Sequence, residues 1–131
     1  MTGLDTNVLV RYFAQDDPVQ SRKATEIVER RLTEDEPGFV SLVTMVETVW
    51  VLSRVYGLSD REIAAVVEGM LQSDTLVIQN EQEVFTAAAA LRADRGAFAD
   101  ALVSALGAWA GCASTLTFDR KAARLDGFDL V

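Results

Sequence analysis

Residues 75–119 read TLVIQNEQEVFTAAAALRADRGAFADALVSALGAWAGCASTLTFD. The stretch opens with a short β-branched run, Thr75 to Ile78. Asn80-Glu81-Gln82-Glu83 comes next with the spacing of a capping box. An alanine-rich helix is expected from there to about Arg95, stopped by Gly96. A second helix is expected from Ala97 to about Ala110, and a strand from Ser114 to Phe118, ending at Asp119. Strands separated by helices indicate a parallel sheet with helices covering it.

The same alternation continues outward. Thr2 to Leu4 is a brief strand ending at Asp5, and Thr6 to Phe13 reads as a helix. Asp17-Pro18, an N-cap followed by proline at the first helical position, opens a helix from Pro18 to Leu32. Glu34 to Gly38 is a polar turn and Phe39 to Ser41 a strand. A long helix runs from Ser41 to about Tyr56, where Gly57 stops it. Ser59-Asp60-Arg61-Glu62 is a capping box for a helix reaching about Gln72. Beyond Asp119, a short helix to Leu125 and a strand from Phe128 to Val131 complete the chain. No repeat or linker interrupts the pattern, and 131 residues suit one domain.

Half the residues are apolar, enough for a buried core. Twenty acids against 12 bases give a net charge of −8, which argues against nucleic-acid binding by bulk charge alone. It still permits a nucleic-acid enzyme whose acids hold metal cations. There is no histidine, which removes Ser-His-Asp and Cys-His catalysis and histidine-ligated zinc. The single cysteine, Cys112, precludes an internal disulfide framework and suits a reducing compartment. Cys112 is expected to be small and buried. Trp50, Trp109, Phe13 and Phe98 are expected in the core or an interface, not as base-stacking platforms. No membrane span or export segment is visible, so a soluble, cytoplasmic protein is expected.

Four acids stand in apolar surroundings. Asp5 and Asp119 each come after a short strand. Glu47 is flanked at helical spacing by Val43, Trp50 and Val51, and Asp100 by Ala97, Val103 and Ser104. A lone buried carboxylate is costly unless it is paired or bound to a cation. In an open parallel sheet the ligand site lies beyond the carboxyl ends of the strands. The four are therefore expected to converge around a divalent metal, and an oxygen-only donor set selects Mg²⁺ or Mn²⁺. Such an ion activates water and stabilises charge on a phosphoryl group, which points to phosphodiester hydrolysis. Plainer roles stay open for each residue. Asp5 and Asp119 would also serve as helix caps, and Glu47 or Asp100 as half of an ion pair with Arg54 or Arg11. Thr6 and Asn7 suit a cap and a turn, although the Thr6 and Thr117 hydroxyls would also hold a metal-bound water. Arg120, Lys121 and Arg124 form a basic group suited to RNA phosphates or to a solvated helix end.

Asp5-Thr6-Asn7-Val8, Glu47 in an apolar helix, Phe98-Ala99-Asp100-Ala101-Leu102 and Thr117-Phe118-Asp119-Arg120, in this order, resemble the PIN domain, and within it the VapC-type toxins of toxin–antitoxin pairs. The resemblance implies a three-layer α/β/α sandwich around a central parallel sheet of four to five short strands. It also implies a Mg²⁺- or Mn²⁺-dependent endoribonuclease. Asp5 and Asp100 would be the most direct metal ligands, with Glu47 and Asp119 completing the acidic pocket. A homodimer and a cognate antitoxin protein are implied as well. Many relatives carry a further acid where this chain has Ala97, so one ion or two is left open.

Two other readings compete. An aspartyl-phosphate receiver, or a phosphatase of the haloacid-dehalogenase type, also uses a strand-end aspartate with Mg²⁺. The second acid such proteins carry near the first is missing here, where Asn7 stands. A non-catalytic module would use the acids only to receive a basic partner.

Overall fold

The structure is a computed structural model describing all 131 residues. It is α/β, and the chain forms two compact units, Met1–Gln79 and Asn80–Val131.

The first unit holds β1 (Thr2–Gly3), α1 (Thr6–Ala14), α2 (Pro18–Glu26), β2 (Gly38–Val40), α3 (Leu42–Arg54), α4 (Asp60–Gln72) and β3 (Leu76–Ile78). The three strands form a parallel sheet in the order β1-β2-β3, with Thr2 opposite Gly38 and Gly38 opposite Leu76. Local chemistry starts each helix. The Asp17 carboxylate accepts the Val19 and Gln20 N–H groups at 3.1 and 3.0 Å, with Pro18 in the first turn. Ser41 caps α3 through the Thr44 N–H at 3.2 Å. The Ser59–Glu62 capping box forms in both directions, and the Ser59 backbone N–H holds the Glu62 carboxyl below its ordinary pKa. Past α3, Gly57 adopts φ +68°, a left-handed conformation open to glycine. α1 packs on α2 and α3, α3 on α4, and α4 on β3. Leu9, Val40, Met45, Leu52, Ile63 and Val67 are among the fully buried side chains.

The second unit holds α5 (Glu81–Arg92), α6 (Phe98–Trp109), β4 (Thr115–Thr117), a 3₁₀ turn (Ala122–Arg124) and β5 (Phe128–Leu130). α5 packs on α6, and β4 pairs with β5 in parallel, Thr115 opposite Phe128. Val84, Ala87 and Ala88 of α5 are fully buried, which explains the alanine run: small side chains let the helices approach closely.

Several expectations are corrected. The sheet of four to five strands is hydrogen-bonded instead as one sheet of three and one of two. Strands of two or three residues offer few backbone groups for a continuous ladder. The helix from Pro18 leaves α geometry at Glu26 and winds more widely over Ile27–Arg31, closed by the Leu32 N–H on the Ile27 carbonyl at 3.0 Å. The capping box at Asn80 does not form. Asn80 is left-handed at φ 51°, and its amide donates to Glu83 Oε1 at 2.9 Å instead of capping the backbone. At the end of α5, Asp94 takes the left-handed conformation, φ 57°, and the Arg95 N–H closes on the Ala90 carbonyl at 2.9 Å. Gly96 serves a different purpose: a Cβ there would meet Leu125 Cδ1 at 2.7 Å. Cys112 is exposed, because it lies in the loop after Gly111 and not in a packed element. Trp50 and Trp109 are exposed and Phe98 is buried. No helix is long and apolar enough to cross a membrane.

A polar tie fastens the far end of α1. Arg11 Nη1 donates to the Tyr56 hydroxyl at 2.9 Å, and that hydroxyl donates to Asp16 Oδ2 at 2.5 Å. Arg11 Nη1 also pairs with Asp16 Oδ1 at 3.2 Å. The Tyr56 hydrogen bond, with Arg11 nearby, holds the Asp16 carboxyl below its ordinary pKa, and Asp16 in turn raises that of the Tyr56 phenol. The Asp16 contribution to stability is thus present above the ordinary carboxylate pKa and is lost as pH falls through the depressed value. The Tyr56 contribution is present below the ordinary phenol pKa and is lost as pH rises through the raised one. Tyr56→Phe should therefore lower the Tm at neutral pH and flatten its fall both below about pH 4 and above about pH 10, in melts followed across pH. A second expectation concerns Thr48, fully buried with a hydroxyl that has no hydrogen-bond partner. Thr48→Val keeps the shape and removes the unpaired group, and should stabilise the fold by about 1 kcal/mol in denaturant unfolding.

Candidate functional site

The segment leading to the first acid is held from two sides. Leu4 is buried, its N–H donates to the Phe39 carbonyl at 2.9 Å, and its own carbonyl accepts from Thr44 Oγ1 at 3.4 Å. Thr44 lies in the first turn of α3 and is itself fixed by Ser41. The strand end that carries Asp5 and the helix that carries Glu47 are thereby joined by one side chain. Thr44 is a positioning residue absent from the sequence-based candidates. Its signal is present in the sequence, since it stands one turn before Glu47 and three residues after the cap Ser41.

Asp5 is exposed and caps α1, its Oδ1 accepting the Thr6 N–H at 2.8 Å. Capping thus describes this residue, as one of its two readings held. Thr6 is buried and Asn7 exposed. Glu47 lies in the second turn of α3 and is exposed. Its neighbours Val43 and Trp50 are exposed too, at 75% and 57%. The expected apolar burial of Glu47 is therefore corrected: it sits on the side of α3 away from the buried Met45 and Leu52.

In the second unit Asp100 is half-buried in the first turn of α6, between the buried Phe98 and Ala101. The preceding Ala97 offers no side-chain cap, so the free N–H groups and the helix dipole at this end favour a carboxylate. Asp119 is exposed in the turn after β4. Its Oδ1 accepts the Lys121 and Ala122 N–H groups at 2.8 and 3.4 Å, while its own N–H donates to Thr117 Oγ1 at 3.0 Å. Asp119 therefore also acts as a cap, and the Thr117 hydroxyl is engaged in holding it. Arg120, Lys121 and Arg124 are all exposed around this turn.

None of the four acids has a cationic side chain for a partner. The alternative of an ion pair with Arg11 is not formed, because Arg11 is taken by Asp16. Arg54 pairs with neither Glu47 nor Asp100. Each unit carries two of the four, Asp5 and Glu47 in the first, Asp100 and Asp119 in the second. Within neither unit do three acidic side chains come close enough to hold a metal ion. The donor chemistry still fits a hard cation: carboxylate oxygens without bound counter-charges, beside threonine hydroxyls, and with no histidine in the chain.

No curated protein matches the sequence. One family model does, that of the PIN domain, whose members are generally metal-dependent nucleases and bind RNA. The match covers residues 4–128, containing all four acids and drawing on both compact units. On that span the chain belongs to the PIN domain family.

Proposed function

We propose that the protein is a Mg²⁺- or Mn²⁺-dependent endoribonuclease that acts as the growth-arresting toxin of a toxin–antitoxin pair. The observation that carries the nuclease reading is the family match over residues 4–128, which includes Asp5, Glu47, Asp100 and Asp119. The same span supports reading the two units as one functional domain. Asp5 and Asp100 are the direct metal ligands in this reading, and Glu47 and Asp119 complete the acidic set. Their lack of cationic partners supports it, since carboxylates already neutralised by arginine would have little affinity for a cation.

A bound ion of this kind supplies an activated water and stabilises charge on the phosphoryl group. The chain's own residues carry the rest. Thr44 ties the first turn of α3 to the strand end, which joins the backbone segments that carry Asp5 and Glu47. Thr117 and the turn N–H groups fix Asp119. The first turn of α6 presents Asp100 beside backbone N–H groups that no side chain caps. Arg120, Lys121 and Arg124 hold RNA phosphates, placing positive charge on a chain of net charge −8. The toxin assignment rests on the resemblance of the four motifs to VapC-type proteins. It carries with it a homodimer, a cognate antitoxin that closes the acidic site and a cytoplasmic setting.

Asp5→Asn and Asp100→Asn should each abolish Mg²⁺-dependent cleavage of RNA while leaving the fold intact. Asparagine caps a helix as well as aspartate does, so Asp5→Asn should keep the cap of α1. Cleavage assays read beside circular dichroism check this, and wild-type rates in either variant would overturn the assignment. Expression of the unaltered chain should arrest growth unless its antitoxin is present, and Asp5→Asn should relieve the arrest.

A further inference from the structure

The segment between β4 and β5 holds its aromatic ring away from the core. Phe118 is 84% exposed, the most exposed of the large apolar side chains. Its backbone is nonetheless pinned on both sides. The Thr117 carbonyl accepts the Val131 N–H at 2.9 Å, and the Asp119 N–H donates to Thr117 Oγ1 at 3.0 Å. The Asp119 carboxylate in turn accepts the Lys121 N–H at 2.8 Å. The same segment carries three exposed cations, Arg120, Lys121 and Arg124, and none of them has an acidic partner. From Phe118 to Leu125 three bases thus stand against one acid, Asp119, on a chain of net charge −8. The next acids lie elsewhere on the strand pair. Asp126 precedes β5, at the end away from Asp119, and Asp129 lies opposite Leu116 in the middle.

Resting on the nuclease reading above, we propose that Phe118 is the stacking platform for a nucleobase beside the cleaved bond of a single-stranded RNA, with the phosphates of that strand on Arg120, Lys121 and Arg124. Three unpaired cations on an acidic chain are complementary to a polyanion. The ring beside them narrows the choice. A strand of phosphates with exposed bases satisfies both, because every base has a π face to lay on the phenyl. A duplex keeps its bases stacked on one another, so the strand is single. Phe118 adjoins Asp119 of the proposed acidic set, with Cα atoms about 3.8 Å apart. An RNA whose cleaved phosphate lies near Asp119 therefore brings a flanking base within reach of the ring. The pinned backbone means that little has to be ordered when the base arrives. An acidic protein segment is the competing occupant and would neutralise the same cations. Such a segment anchors its apolar side chains in pockets, whereas a ring this exposed stands clear of the surface, and this favours RNA.

The test uses the full chain carrying Asp100→Asn, so that RNA is bound without being cut, and reads the anisotropy of a labelled, mixed-sequence single-stranded RNA of about ten nucleotides. In that background Phe118→Ala should raise the Kd about 5- to 100-fold and leave both the salt dependence and the Tm unchanged. Phe118→Trp should recover the loss and Phe118→Leu should not, since leucine is apolar but has no ring to stack. An RNA of the same length with abasic positions should bind the Asp100→Asn chain as weakly as the ordinary RNA binds Phe118→Ala. Arg120→Ala, Lys121→Ala and Arg124→Ala should each weaken binding and reduce the slope of log K against log salt by about 0.7, the signature of one lost phosphate contact on a single strand. A merely structural Phe118 would lower the Tm and would not tell the two RNAs apart. An unchanged Kd in Phe118→Ala, or recovery by leucine as well as tryptophan, alongside normal cleavage by the unaltered chain, would overturn the proposal and leave the nuclease reading intact. A polyglutamate peptide that displaces the RNA and itself needs Phe118 to bind would assign the segment to an acidic protein and also overturn it. If the unaltered chain neither binds nor cuts RNA, the nuclease reading fails, and the stacking role of Phe118 with it.

Discussion

The peptide of Leu4 is gripped on both sides: its N–H by the Phe39 carbonyl, its carbonyl by the Thr44 hydroxyl. β1 has only two residues, so pairing alone gives it little hold. Burial of the Leu4 side chain and the reach of Thr44 across from α3 supply the remainder. Both neighbouring acids depend on that grip. Asp5 starts α1 from a fixed point, and Glu47 is presented one turn beyond the residue that does the gripping. A backbone contact thereby joins the segments that carry two acids 42 residues apart in sequence.

The fold was legible in the sequence wherever a local rule acts alone. Asp17-Pro18, Ser59 with Glu62, and Gly57 each take the conformations their chemistry favours, and five strands separate the helices as the alternation suggests. Errors occur where two chemistries compete for one residue. Asn80 has the spacing of a cap, yet asparagine also tolerates the left-handed region, and that tolerance prevails. The same tolerance lets Asp94 end α5, leaving Gly96 free for the close approach of Leu125. The division of the strands between two sheets is invisible to periodicity, which reports which faces are apolar and not which edges pair.

The candidate acids were picked out by their sequence neighbours, and their environment was less legible there. Asp5, Glu47, Asp100 and Asp119 stand out in sequence because their neighbours are apolar, a pattern that suggests burial. On α3 that suggestion reverses. Val43 and Trp50 are apolar and exposed, so Glu47 lies among hydrophobic residues without being buried by them. Sequence alone cannot separate an acid in a core from an acid on an unused apolar face. The two demand different physics: the first requires a counter-ion to exist at all, while the second only has capacity for one. Thr44 shows in the sequence only by its spacing from Ser41 and Glu47, because its role runs through a backbone carbonyl.

Strands this brief also govern motion. A ladder of two or three residues protects its amides only while every member of it is closed, so fraying at either end opens it all. Hydrogen exchange from β1 and from the β4–β5 pair would then proceed by small local openings, while the amides inside α3 and α5, sealed by fully buried Met45, Leu52, Val84 and Ala87, would wait for global unfolding. The strand end that precedes Asp119 would thus breathe quickly beside slow helices, while the doubly held, buried Leu4 slows the one that precedes Asp5.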